Sequence, residues 1–325
     1  MFSERTQKIL LVSGAFGILA VLVPFLPEYA CVLFMQVLIF AILAMGLDVI
    51  LGYTGLSSLG QAAYFGVGAY TVAILTTRYG YGFLPAFFCG ILLAAAVAAI
   101  FGLIAIRATG VYFLMLTLAL AMVVWGLAWR WNSLTDGDNG IAGIPRPVLG
   151  FDLNSDINLF YFILIISVLC LVALYVLVNS PYGRSLVGIR EGEERMRMLG
   201  YHVWLHKYLA FIFAGTFGGI AGTLWAIYKN FVSPDDLSID VSVEALLMVA
   251  LGGPATLVGA VIGAGVIVFL RNYVSIYYTG WLYILGGMYI VTILFLPGGI
   301  MGIAKGLWQR GRTDEKVATK QDEQS

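Results

Sequence analysis

Residues 179–207 read NSPYGRSLVGIREGEERMRMLGYHVWLHK, and the rest of the chain is organised around them. Arg184, Arg190, Arg195, Arg197 and Lys207 stand there against Glu191, Glu193 and Glu194. No other polar run between two strongly apolar blocks is as long. The flanking blocks are built for lipid, so the run predicts a charged helical insert that faces water. In a membrane protein such an insert is usually where a partner docks.

Composition supports the lipid reading. The chain has 325 residues, of which 61% are hydrophobic and only 11% charged, where a soluble domain is nearer to about a quarter charged. Lipid rather than water must solvate most of its surface. The formal net charge of zero names no partner, and without a large basic patch nucleic-acid binding is excluded. Cys31, Cys89 and Cys170 each sit inside an apolar run and read as small buried hydrophobes. The first apolar stretch ends at Pro24-Phe25-Leu26-Pro27-Glu28 without a small-residue cleavage site, and reads as a retained helix.

A spanning helix needs about 20 apolar residues, fewer where protein shelters it. This rule places helices near 9–26, 30–51, 61–77, 83–106, 111–129, 159–178, 208–228 and 281–296, with a pair at 243–252 and 255–270. Gly252-Gly253-Pro254 interrupts the pair, which could otherwise be one kinked helix over 243–270. Charge chooses between the two. With ten crossings both termini lie on the cytoplasmic side, and thirteen of the eighteen basic residues fall there, leaving Arg78, Arg130, Arg146, Lys229 and Arg271 outside. A single crossing would move the basic tail outside, so the positive-inside rule favours the broken pair. The expectation is an all-α polytopic membrane protein of about ten (eight to ten) transmembrane helices. Residues 1–308 form the membrane domain and 309–325 a disordered cytoplasmic tail. Trp129, Trp131, Trp225 and Trp281 fall near outer helix ends, where their rings settle at the headgroup level. The acidic outer loop from Arg130 to Asn158 is either a solvated face or a docking surface.

Glycine is clustered in two places. Residues 51–70 read LGYTGLSSLGQAAYFGVGAY and residues 251–265 read LGGPATLVGAVIGAG. Small residues let helices approach closely in lipid and mark places where a helix unwinds around a cavity. A broken-helix segment is therefore expected in each half, with the two halves weakly repeated. Thr54, Ser57, Ser58, Gln61, Tyr64 and Tyr70 are the polar groups of the first stretch. They either line a pathway for a small polar solute or hydrogen-bond between helices.

Enzyme chemistry finds little support. His202 and His206 are spaced i,i+4 but lack the further ligands that zinc needs, and they read as solvated or interfacial histidines. There is no nucleophile elbow, phosphate loop or paired intramembrane carboxylate. Asp48, one turn from an inner helix end, and Glu244 are the sparse charges within the spans. An ion-driven carrier needs acidic or histidine relays at mid-depth, and none is evident. No cofactor or metal is implied, and the energy source is expected on another subunit.

Within the opening stretch, Glu194-Arg195-Met196 is followed by three residues and then Gly200. This resembles the cytoplasmic loop of ABC-importer permeases, which runs Glu-Ala-Ala, three residues, Gly. Here both alanines are replaced, and the Ile-x-Leu-Pro ending is missing. Further blocks extend the likeness: LGYTGLSSLGQAAYFGVGAYT at 51–71, RATGVYFLMLTLA at 107–119, LTDGDNGIAGIP at 134–145, GRSLVGIREGEERMRMLGYHV at 183–203 and FVSPDDLSIDVSVEALLMVALGGPATLVGAVIGA at 231–264. Together they resemble the LivM-type permease family of the branched-chain amino acid ABC importers.

The resemblance implies a permease in the cytoplasmic membrane that pairs with a homologous, LivH-type second permease. Two ATPase subunits and an extracytoplasmic solute-binding protein would complete the system. By position, Arg190, Glu191, Glu194 and Gly200 would fall in the ATPase coupling loop, with Arg195 and Met198 on the same docking helix. Ser58, Gly60 and Gln61 would lie in the glycine-rich pathway segment, flanked by Ser57 and Tyr64. Asp48 joins this group, although a neutral amide is expected there in many relatives. The family also includes urea and short-chain amide permeases, which remain the alternative, ahead of a stand-alone secondary carrier.

Overall fold

A computed structural model describes residues 27–146, 153–277, 281–295 and 298–302. The expected helix over 9–26, the tail and part of the outer loop lie outside the described residues. Helix α1 (Glu28–Asp48) runs on into a π-helical turn at Val49–Thr54. It is followed by α2 (Gln61–Thr77), α3 (Phe83–Ala105), α4 (Val111–Arg130) and α5 (Asp156–Asn179). Next come two short helices, α6 (Pro181–Glu191) and α7 (Glu193–Met198), and then α8 (Val203–Lys229). Last are α9 (Ile239–Gly252), α10 (Leu257–Tyr277) and α11 (Trp281–Phe295). Two-residue strands β1 (Ile141–Ala142) and β2 (Phe231–Val232) pair antiparallel between loops.

Among the described residues, six helices are long and apolar enough to cross a membrane: α1 with its π turn, α3, α4, α5, α8 and α10. The shorter α2 and α9 are sheltered by them. Helix α9 has 14 residues, a length of about 21 Å, short of a hydrocarbon core of about 30 Å. Such a segment is tolerated where protein rather than lipid surrounds it. The pair expected at 243–252 and 255–270 is indeed two helices, separated at Gly253–Thr256.

Packing is set by small residues. Along α3 the buried positions include Ala86, Gly90, Ala94, Ala98 and Gly102, a stripe with a period of four. They face Gly215 and Gly219 of α8, where an added Cβ would strike the Ala98 and Ala94 side chains. A Cβ on Gly68 of α2 would strike the Gly219 carbonyl, and one on Gly222 the Phe65 carbonyl. Backbones this close gain dispersion contacts that lipid cannot match. Helix α1 is buried from Met35 to Asp48 on every side, as a helix apolar all round must be when it sits at the centre.

The two ends of the bundle differ. At one end, Arg78, the residue after α2, pairs with Asp136, Arg146 with Asp156, and Lys229 with Asp236. Nearby, Arg271 of α10 reaches Glu244 of α9 at 2.8 Å. At the other end lie the π turn, α6, α7, and the break between α9 and α10. Two expectations change. Cys31 and Cys170 are buried, but Cys89 is exposed on the outward face of α3. Trp129 and Trp131 are exposed, but Trp225 is buried, and its Nε1 donates to Asp236 Oδ1 at 2.9 Å. That buried acceptor binds the indole instead of the headgroup region. The Trp281 side chain lies outside the description.

Candidate functional site: the loop end and its helix breaks

The charged stretch folds as two helices rather than one. Ser180 caps α6, its Oγ accepting from Gly183 N, and Pro181 occupies the first turn, where its missing N–H costs nothing. Extended backbone at Gly192 then separates α6 from α7. Met196 of α7 lies over Gly188 of α6, where an added Cβ would come within 2.9 Å of its Sδ. Helix α7 ends in a Schellman arrangement: Gly200 N donates to Arg197 O and Tyr201 N to Met196 O, with Gly200 at φ +87°. The glycine of the Glu194-to-Gly200 spacing is thus a helix stop, and the backbone there requires it.

The loop is bolted to α8. Lys207, which is buried, donates from Nζ to Glu193 Oε2 at 2.6 Å, and Arg197 holds Oε1 of the same carboxylate. Partial burial pushes the Glu193 carboxyl up, but the Lys207 hydrogen bond and charge, with Arg197, outweigh it and leave it below its ordinary value. Tyr182 donates to the His206 carbonyl and stacks on the His206 ring. His206 Nδ1 lies 2.9 Å from His202 O, so the histidine pair belongs to this local packing. No group of three or more potential metal-ligating side chains occurs among the described residues.

Glu191, Glu194, Arg195, Met198 and Gly200 are all exposed. Met198 is 84% exposed and Leu199 72%, large values for apolar side chains flanked by charges. A groove of about 590 Å³ adjoins them, lined by Arg197, Tyr201, His202, Trp204 and Leu205. Arg190 differs from its neighbours. Its guanidinium turns back and donates from Nη1 to the Gly52 carbonyl in the π turn.

The glycine-rich segments meet at this end. Gly52 abuts the backbone of Ala255, and Asp48 Oδ1 accepts from Ala255 N at 2.8 Å. Asp48 is fully buried and forms no ion pair among the described residues. Ser58, Gln61 and Tyr64 are buried, and Ser57 is half-buried. Ser58 Oγ accepts from Gly60 N, Leu59 N donates to Thr117 Oγ1, and Ala62 N donates to Ser242 Oγ. The Gln61 amide and the Tyr64 hydroxyl have no hydrogen-bond partner among the described residues. The sequence singles out neither Thr117 nor Ser242, and it marks Lys207 only as one cation of the charged stretch. The first two are lone hydroxyls on apolar faces, and that pattern was the available signal.

A bundle with two broken helices, their breaks joined beneath an exposed charged loop, is the setting for a comparison with known proteins. The family model for the branched-chain amino acid transport system / permease component matches residues 29–296. The chain belongs to this family. It is 31% identical over 328 residues to the high-affinity branched-chain amino acid transport system permease protein LivM of Escherichia coli (strain K12), covering 93% of this chain and 77% of the relative. The Salmonella typhimurium protein of the same name is 30% identical over the same shares. A probable branched-chain amino acid transport permease protein LivM of Methanocaldococcus jannaschii is 29% identical over 111 residues, 34% of this chain and 32% of that one. No solved structure matches. The chain is accordingly a multi-pass membrane permease subunit of an ABC importer, and the matched region includes the loop and both breaks.

Proposed function

We propose that this permease passes branched-chain amino acids inward across the cytoplasmic membrane, driven by ATP hydrolysed on two separate ATPase subunits. The observation that carries the docking assignment is the exposed face of α7. Met198 and Leu199 project from a helix held rigidly by Glu193–Lys207 and flanked by Glu191, Glu194 and Arg195. An apolar knob rimmed by charge suits a groove on a soluble partner. The loop end is then cytoplasmic, the chain crosses ten times, and both termini are cytoplasmic. A LivH-type second permease completes the membrane unit, and an extracytoplasmic binding protein delivers the solute at the opposite end. Ser57, Ser58, Gly60, Gln61 and Tyr64 supply neutral polar groups to the pathway, and the unpartnered Gln61 amide and Tyr64 hydroxyl suit a zwitterion better than an ion.

Uptake of labelled leucine, isoleucine and valine by cells expressing the full system tests this reading. Glu194→Lys reverses a charge on the exposed face. Gly200→Pro forces φ to about −65° where the chain requires +87°. Both variants should insert at normal abundance and lose uptake. Unchanged transport in both, or urea uptake in place of amino acid uptake by the wild type, would refute the assignment.

A further inference from the structure

Three elements distant in sequence converge where Arg190 leaves α6. The π turn ends at Thr54 and the chain departs from helical geometry at Gly55, which has φ +76°. The last carbonyls of a helix lack N–H donors of their own, and Arg190 supplies one to Gly52 from 138 residues away. Its aliphatic stem covers Gly55, where a Cβ would lie 2.9 Å from Arg190 Cγ. On the other side of the same turn, Asp48 accepts from Ala255 N across 207 residues. Ala255 has φ +60°, a left-handed conformation that a residue with a Cβ adopts at a cost. The Asp48 hydrogen bond holds it there.

We propose that Arg190 and Asp48 are positioning residues that transmit movement of the α6–α7 loop to both helix breaks. This rests on the reading that the loop docks an ATPase. Glu191, Glu194, Arg195, Met198 and Arg190 are all exposed, but Arg190, in the last turn of α6, also reaches the membrane bundle through its hydrogen bond to the Gly52 carbonyl. A shift of α6 pulls on Gly52. Gly52 is packed directly on Ala255, so the pull reaches the second break without an intervening flexible side chain. Asp48 keeps the two breaks in register, so they open together or not at all. The importance of Asp48 therefore lies in its Oδ1 as an acceptor and does not require a negative charge.

The test uses the complete importer in proteoliposomes, with uptake and ATP hydrolysis measured on the same preparation. Arg190→Ala should co-purify with the ATPase subunits and still support ATP hydrolysis, while solute moved per ATP falls at least about tenfold, within the range of coupling between linked sites. Arg190→Lys keeps a charged donor and should recover part of the loss. Asp48→Ala should uncouple in the same way, and Asp48→Asn, which keeps an acceptor oxygen, should transport better than Asp48→Ala. Loss of the ATPase subunits from Arg190→Ala would make Arg190 a docking contact and overturn the proposal, as would wild-type solute per ATP in that variant. If Asp48→Ala does not accumulate, the Arg190 pair decides alone. A wild-type complex that hydrolyses ATP without moving amino acid would instead refute the proposed function.

Discussion

Gly52→Ala is the sharpest test of the helix-break junction. A Cβ at this position would collide with the backbone of Ala255 and with Asp48 Oδ1. Neither can move cheaply. Ala255 is already in the left-handed region, and Asp48 is enclosed by the core. Forcing a methyl group into a close-packed contact costs about 1–3 kcal/mol. Displacing the carboxyl group also removes its hydrogen bond to Ala255 N, about 0.5–1.5 kcal/mol. Together these come to about 1.5–4.5 kcal/mol, since the methyl and the Asp48–Ala255 bond compete for the same space. Gly126 of α4 is the internal control. A Cβ there meets nothing within 4 Å, so Gly126→Ala gains helix propensity of up to about 1 kcal/mol. Retention of a monodisperse chromatographic peak after stepwise heating in detergent reads both variants. Gly52→Ala should lose roughly 3–15 °C, and Gly126→Ala should match or exceed the wild type. Equal behaviour of the two variants would refute the close approach of the breaks.

Trp225→Phe removes the Nε1 donor to Asp236 while keeping an aromatic ring, and should cost about 1.5–3 kcal/mol. The same heating assay checks it, and an unchanged midpoint would mean that Lys229 and Ser233 already satisfy the carboxylate. The Glu193–Lys207 pair makes loop order depend on pH. The folded Glu193 value lies below its ordinary 4.5, so the stabilisation is present above the unfolded value and is lost as pH falls through the folded one. Hydrogen exchange of amides 193–203, corrected for intrinsic rates, should show protection falling below about pH 4.5, and Glu193→Gln should abolish that pH dependence.

Much of this architecture is legible in the amino-acid pattern. Helix existence follows from apolar run length, and the α9–α10 break follows from Gly252-Gly253-Pro254. What is hidden depends on facing. Periodicity cannot give the facing when a run is apolar all round, as in α1. The α3 stripe of Ala86, Gly90, Ala94, Ala98 and Gly102 is readable as spacing, but its partner, the glycine cluster of α8, is fixed only by packing. The candidate site divides in the same way. Composition marks the loop as exposed, and Glu191, Glu194, Arg195 and Met198 are exposed. Arg190 carries the same charge as Arg195 and is exposed as well, yet its guanidinium donates to a carbonyl of the π turn that lies within its reach. No local signal in the loop records a hydrogen-bond vacancy 138 residues away.

The same fold accounts for why so few charges organise so apolar a chain. At the end away from the loop, Arg78, Arg146, Lys229 and Arg271 each lie against a carboxylate. Those cations fasten loops and neighbouring helices, and their charge is cancelled locally. At the loop end Arg107, Arg184, Arg190 and Arg195 form no ion pair among the described residues. An unpaired cation near a membrane surface is costly to carry across during insertion and is attracted to anionic headgroups on the cytoplasmic side. The bare count of basic residues thus understates the asymmetry: four of the five cations expected outside are matched within the fold, while among the described residues four of the six expected inside are not. This supports the proposed cytoplasmic position of the loop more strongly than composition does. Glu193 is the exception at the loop end: it pairs with Arg197 within α7 and with Lys207 of α8, tying the two helices together.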